Sequence, residues 1–514
     1  MESQVELRPD RLIRLNPLSG AEVGSYPMMG RDEVRELVAA TRVAQLEWSR
    51  RSLRQRGQAL QRLRRLTADR AAKIADVIRA ETGKVAGEAA FEVAAACDHL
   101  AYLARTAPRV LRNRRASTGW LYHRKAQVSY EPYGVVAAIT PWNYPFAISM
   151  TSVTTALAAG NGVVLKPSEY SPATGVLVGE LVAEALGLAN LVTVATGDGR
   201  TGAALLEAGA DKIAFTGSTA VGKKVMAAAA ESLTPVVLEL GGKDAMIVCA
   251  DADIERAARG AVWGAFYGCG QICMSVERVY VVEAVYDQFV QAVMSEARRV
   301  RSSDEPEAMI GSLIAQFQLD KVDKQVQEAQ ASGARILLGG RPIKVSGFFF
   351  QPTLVADVDH SMRLMQEETF GPVLPVMRVA DEDEAVRLAN QSDFGLDASV
   401  WTRDRARGHR IADQLQVGTV LINDHLINYI LADLPFGGTR HSGFGRVHGL
   451  EGLREFARPK AWVEDRLVFK REPHWFEEGG SNQGLVSALL EFRHGRRFIS
   501  RLGAAWRLLR SLRG

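Results

Sequence analysis

Between residues 133 and about 240, short unbroken apolar runs alternate with stretches of helical periodicity. The runs are Gly134–Thr140 (GVVAAIT), Gly162–Lys166 (GVVLK), Asn190–Ala195 (NLVTVA) and Lys212–Thr216 (KIAFT). A strand with one wet face alternates apolar and polar residues, whereas a strand covered on both faces has no reason to. Helices between such runs make βαβ units, so the pattern predicts a parallel sheet coated by helices. A second series occupies 241 to about 440 and includes Ala245–Val248, Arg278–Val282, Val373–Val376 and Thr419–Ile422. Upstream, residues 31 to about 115 repeat apolar residues at spacings of three and four, which reads as helix. Residues 116–132 change to strand-like pieces such as Gln127–Tyr130. A chain of 514 residues exceeds one compact core. Two α/β lobes with a cleft between them are expected, and ligands of such folds bind in such clefts.

Charge is nearly balanced, with 63 basic and 59 acidic residues and a net charge of +4, which argues against a nucleic-acid partner. The four cysteines, Cys97, Cys249, Cys269 and Cys273, make no disulfide framework and suit a reducing, intracellular compartment. The first residues, MESQVELRPD, lack the apolar core of a secretory signal, and no apolar run is long enough to span a bilayer. A cytoplasmic protein is expected, or one held peripherally on the inner membrane surface by its tail.

One motif is a decoy. GDGRTG places Gly197, Gly199 and Gly202 in dinucleotide-fingerprint spacing before a helix. The acid that should follow about 20 residues on is missing, because that position falls in Phe215–Thr219. The segment is read as a loop near a cofactor at most.

The chemistry lies elsewhere. Cys273 follows a Gly-Gln pair in GCGQIC, Glu239 lies upstream in LELGGK, and Asn143 sits in PWNYP directly after an apolar strand. A thiol, a carboxylate and an amide together suit acyl chemistry through a thioester. A cysteine is more often a packed hydrophobe, which is the reading for Cys97, Cys249 and Cys269.

Seven motifs in order extend the case: PWNYP (141–145), KPSE (166–169), FTGSTAVG (215–222), LELGGK (238–243), GQIC (270–273), EETFGPV (367–373) and PFGG (435–438). From about residue 10 to 465 the chain resembles the aldehyde dehydrogenase superfamily. The resemblance implies an α/β fold of two Rossmann-like parallel-sheet lobes, a small oligomerisation hairpin and a C-terminal helical tail. It assigns 1–115 and 133–240 to a cofactor domain, 241–440 to a catalytic domain, 116–132 and 455–470 to oligomerisation strands, and 471–514 to the tail. A homodimer or homotetramer is expected.

It implies that Cys273 attacks the aldehyde, that Asn143 and the Cys273 N–H hold the oxyanion, and that Glu239 activates water. Lys166, Ser168 and Glu169 fall at the adenosine-side ribose, and Glu169 favours NAD while leaving NADP open. Trp142, Gly199, Gly217, Ser218, Gly222, Leu240, Glu368 and Phe370 fall along the rest of the cofactor, although Trp142 also reads as packing and Ser218 as a plain helix cap. Tyr144, Ile148, Thr151, Ile272, Met274 and Phe436 would line a mainly apolar tunnel suited to a medium or long apolar aldehyde. Arg278 reads as structural, and no metal site is expected. Two alternatives stand beside this: a succinate-semialdehyde-type enzyme, for which no arginine is identified, and a non-catalytic membrane-associated scaffold.

After Glu464 the family pattern ends. Residues 485–513 carry seven arginines and one glutamate, with Leu, Phe, Ile and Trp at helical spacing. The segment reads equally as a helix docking on its own protein or as an interfacial membrane helix.

Overall fold

The computed structural model describes residues 4–119, 121–305, 307–467, 475, 483–495 and 502–506. It forms two compact units.

The first unit comprises residues 1–112 and 130–459. It opens with three antiparallel strands, β1 (Val5–Leu7), β2 (Arg11–Leu15) and β3 (Glu22–Pro27), which the sequence reading did not anticipate. Four helices follow, Arg31–Ser49, Leu53–Asp69, Ala71–Thr82 and Ala86–Val110, where helical periodicity is expected.

Past β4 (Arg114–Ala116) and β5 (Arg124–Pro132) come β6 (Val135–Ile139), β7 (Gly162–Lys166), β8 (Val192–Val194), β9 (Lys212–Thr216) and β10 (Val236–Glu239). All five join one sheet, parallel throughout. The helix Pro145–Ala159 between β6 and β7 is buried at every residue. It starts on a proline, whose fixed φ suits the first turn, and stops at Gly160, whose φ of 100° few other residues adopt.

The second series gives β11 (Asp244–Val248), β12 (Val276–Val282), β13 (Arg335–Leu338), β14 (Thr353–Ala356), β15 (Val373–Val379), β16 (Asp397–Trp401) and β17 (Thr419–Ile422). They form a sheet in the order β13-β14-β15-β12-β11-β16-β17, parallel except for the edge pair β13-β14. β18 (Gly443–Phe444) then returns to the first sheet and pairs antiparallel with β10, setting Glu239 opposite Gly443. A side chain at 443 would collide with the Leu238 carbonyl, so this pairing needs glycine.

The second unit comprises residues 113–129 and 460–514. Its three-stranded sheet runs β19-β5-β4, where β19 is Ala457–Asp465. Arg124 pairs with Asp465 at 3.0 Å and Lys125 with Glu464 at 3.2 Å. The tail supplies a helix, Gln483–His494, and a helical stretch at 502–506. The remaining tail positions of the expected amphipathic segment, 496–501 and 507–514, lie outside the described residues. No helix among the described residues is long and apolar enough to cross a membrane.

Candidate active site

Cys273 sits just past the helix Ile254–Phe266, beyond a turn in which Gly268, Cys269 and Gly270 are left-handed, with φ of 62°, 57° and 68°. Two glycines make this affordable, and a Cβ at 270 would strike the Gly371 carbonyl. The turn is held from three sides. Glu88 Oε1 accepts the Gly268 N–H at 2.9 Å, Gln271 Oε1 accepts the Ile314 N–H at 3.0 Å, and Asn143 Nδ2 donates to the Gln271 carbonyl at 2.9 Å. One of the two Asn143 amide hydrogens is thereby committed, and the other is left for a ligand.

Cys273 and Cys269 belong to different packing groups. Cys269 is buried with Ala245, Ile247 and Val322 beneath the second sheet. Cys273 packs beside Ile272, Met274 and Phe436. Burial pushes the Cys273 thiol well above its ordinary pKa, and the carboxyls of Asp244, Asp397, Glu368 and Glu239 push it further. Such a thiol needs a base before it can attack.

Glu239 is the carboxyl expected to serve as that base. It ends β10 with neither carboxyl oxygen hydrogen-bonded among the described residues. Burial lifts its pKa well above the carboxylate range, and nearby Arg446 only partly opposes that. A carboxyl lifted in this way takes up a proton readily once ionised.

A cleft of about 950 Å³ opens beside Cys273. Its wall contains Trp142, Asn143, Lys166, Ser168, Glu169, Gly199, Gly217, Ser218, Leu240, Glu368 and Phe370, so nearly every residue expected at a cofactor is in one place. Gly222 stands behind that wall, where a Cβ would come 2.5 Å from the Leu240 side chain. Ser218 accepts from the Val221 N–H at 3.4 Å, so it caps the helix Thr219–Glu231 and also faces the cleft. The start of that 13-residue helix turns unpaired N–H groups and the positive dipole end toward the cleft, which suits a phosphate. At one end Lys166 Nζ lies 3.6 Å from Glu169. At the other, Glu368 accepts the Gly242 N–H at 3.1 Å, and burial lifts its carboxyl to about 7. The decoy loop belongs to the same wall, with Asp198 capping the helix Gly199–Glu207.

Most of the residues expected around a substrate pack in an apolar cluster that Cys273 adjoins. Ile272, Met274 and Phe436 form an apolar cluster with Val237, Leu396, Leu426 and Val447, and Tyr144, Tyr267, Tyr429 and Cys273 pack against it. Ile148 lines the cleft, and Thr151 receives the Tyr429 hydroxyl at 3.4 Å. Arg278 spends its guanidinium on the carbonyls of Lys243, Leu388 and Ala389 and on the Tyr280 hydroxyl, a structural role.

Sequence reasoning missed the supports. Glu277 accepts the backbone N–H groups of Thr369 and Phe370 at 2.7 and 2.9 Å, and it pairs with buried Lys243 at 2.6 Å. Gln318 Nε2 donates to the Phe370 carbonyl at 2.8 Å, and Phe370 is left-handed with φ of 58°. Beside Tyr144, Lys84 pairs with Glu92 at 2.8 Å and stands 3.6 Å from the Tyr144 ring centroid. The signal for Glu277 was a lone acid inside the apolar strand VERVYVV.

Residues 6–462 match the model of the aldehyde dehydrogenase family. The chain belongs to the aldehyde dehydrogenase family. Members are oxidoreductases that act on aldehydes, and this aldehyde dehydrogenase is one of them, which retires the scaffold alternative. It is 40% identical over 484 residues to 4,4'-diapolycopene aldehyde oxidase of Methylomonas sp, covering 94% of this chain and 91% of that one. It is 35% identical to the mitochondrial succinate-semialdehyde dehydrogenase of Oryza sativa subsp. japonica, over 87% of this chain and 84% of that one. Among solved structures, the NAD-dependent aldehyde dehydrogenase from Sinorhizobium meliloti superposes with a TM-score of 0.87 at 34% identity, over 91% of this chain and 93% of that one.

Proposed function

We propose that this aldehyde dehydrogenase oxidises a medium or long apolar aldehyde to its carboxylic acid with NAD as oxidant. One observation carries the reading: Cys273 lines the cleft that fits the dinucleotide and also packs against an apolar cluster, so its sulfur has both a cofactor cleft and an apolar environment beside it.

Cys273 adds its sulfur to the aldehyde carbon while Glu239 takes up the thiol proton. The Asn143 amide and the Cys273 N–H donate to the oxygen as it gains charge, and donors so placed contribute about 2.7–4 kcal/mol each. NAD bound in the cleft supplies the hydride acceptor. The product on the enzyme is then a Cys273 thioester. Glu239 gives up the thiol proton to solvent and then removes a proton from water as the oxygen adds to the thioester carbon; the carbon–sulfur bond breaks, and the leaving sulfur takes that second proton from Glu239 to give acid and free thiol.

The residues present fit the dinucleotide. The N-terminus of the helix Thr219–Glu231 suits its pyrophosphate, and the Glu169 carboxylate suits a ribose diol. The same carboxylate would repel a 2′-phosphate, which favours NAD over NADP. The Sinorhizobium meliloti relative is named as NAD-dependent.

For the substrate, Ile272, Met274 and Phe436 beside Cys273 are apolar, and Lys84, which lies against the Tyr144 ring, is already paired with Glu92. The Methylomonas relative is named for a long apolar aldehyde and the Oryza relative for a charged one. The lining sides with the first. An NADH-appearance assay over straight-chain aldehydes of increasing length, with succinate semialdehyde beside them, tests this. A kcat/KM that rises with chain length supports it, and a preference for succinate semialdehyde overturns it.

We also propose self-association through the sheet of the second unit. All nine residues of β5 are partly exposed, as is most of β19, including Val463. A gel-filtration mass equal to one chain would refute this.

A further inference from the structure

The two helical pieces of the C-terminal segment are amphipathic the wrong way round for helices that dock only on their own protein. In Gln483–His494, Val486 and Leu490 are 51% and 56% exposed while Ala488 between them is 3% exposed. In 502–506, Leu502 and Trp506 are both 56% exposed while Ala504 is fully buried. Each exposed pair is spaced i, i+4, so each lies on a single helix face. A helix that serves only its own chain turns its large apolar side chains inward and leaves small ones outside. Here alanine is covered, and valine, leucine and tryptophan form outward ridges.

Charge selects what covers them. Residues 485–513 hold seven arginines against one glutamate, and Arg493 lies exposed on the first helix. A second copy meeting this segment across a two-fold axis would bring the same positive charge against it. An anionic bilayer supplies both needs: acyl chains for the leucine and tryptophan ridges, and headgroups for arginine.

We propose that the C-terminal segment is a peripheral docking surface for an anionic lipid bilayer, with Val486, Leu490, Leu502 and Trp506 entering the interface. The assignment does not depend on which aldehyde is oxidised. It places the enzyme at the phase in which a long apolar aldehyde dissolves.

The test is flotation of the full-length protein with vesicles of phosphatidylcholine alone and of phosphatidylcholine with about one third phosphatidylglycerol, at physiological salt. The expected result is flotation with the mixed vesicles and not with the neutral ones. The double variants V486S/L490S and L502S/W506S change only exposed side chains, and each is expected to lower the floated fraction at least several-fold. Cys273→Ala is expected to float like the wild type, which separates docking from catalysis. Failure of the wild-type protein to float overturns the proposal. So does equal flotation of wild type and both double variants. A fall in oligomer size in either double variant, with flotation unchanged, would assign the ridges to a second copy instead.

Discussion

Glu277 and Lys243 form a buried ion pair at 2.6 Å, and the same carboxylate receives the backbone N–H groups of Thr369 and Phe370. One carboxyl on β12 thus ties the loop before β11 to the turn that carries Glu368. Removing one member of a buried pair leaves the other charged and unsolvated, at a cost of about 3–5 kcal/mol. Glu277→Ala is therefore expected to lower stability by about that amount in urea titration. Lys243→Met combined with Glu277→Leu is expected to recover most of it. A loss below about 1 kcal/mol in the single variant would show that the pair is not what holds the turn.

Gly241 makes room for Glu368. A Cβ at 241 would sit 2.6 Å from Glu368 Oε1, so Gly241→Ala must displace the carboxylate. If Glu368 holds the nicotinamide ribose, losing one charged hydrogen bond costs about 1.5–3 kcal/mol. The KM for NAD is expected to rise about tenfold or more. Alkylation of Cys273 by iodoacetamide, which needs no cofactor, should keep its wild-type rate.

Asn143 is the proposed oxyanion donor, with one amide hydrogen on the Gln271 carbonyl. Asn143→Ala is expected to lower kcat by about 10²–10³. Because Asn143 also supports the Gln271 carbonyl, circular dichroism must accompany the kinetics. A variant that folds and keeps more than about a tenth of wild-type kcat would remove Asn143 from the mechanism.

Glu88 gives a pH signature. Burial lifts its carboxyl to about 7, with one oxygen on the Gly268 N–H and the other without a hydrogen-bond partner among the described residues. The folded state keeps this proton between about pH 4.5 and 7, where the unfolded chain has released it. Its contribution to stability is full below that window and is lost as pH rises through it. At a rate of 1.36 kcal/mol per unit the loss is about 3 kcal/mol. Glu88→Gln, which keeps the acceptor for Gly268, should flatten the fall in urea-denaturation stability between pH 4.5 and 7 by about that much. An unchanged slope would mean that Glu88 does not hold the proton.

Much of this was legible in the sequence because burial leaves a plain mark. β7 and β9 fall where the apolar runs do, since a strand covered on both faces has little freedom of composition. The strands β1–β3 left no such mark: RLIRL and EVGSYP carry charge and a glycine on a partly wet sheet. β18 is two residues long and its partner is remote in sequence, so no local pattern announces it. At the site, Cys273, Glu239 and Asn143 stood in motifs, but their supports did not. Glu88, Glu277 and Gln318 act through backbone N–H and C=O groups of distant turns, and such contacts depend on how the chain comes together rather than on local spacing. Glu239 itself stands beside Gly437 and Arg446, near enough to Cys273 for its carboxyl to raise the thiol.

The return of Gly443–Phe444 to β10 limits how this gene can be taken apart. A fragment ending at residue 240 would contain all five parallel strands of the cofactor sheet, yet its edge strand would be bare and Glu239 left in water. Bare edges recruit strands from other chains. Split-enzyme reporters or lobe swaps between relatives should therefore carry the 443–444 segment with the first half, because the parts of this fold that work together are not the parts that lie together on the gene.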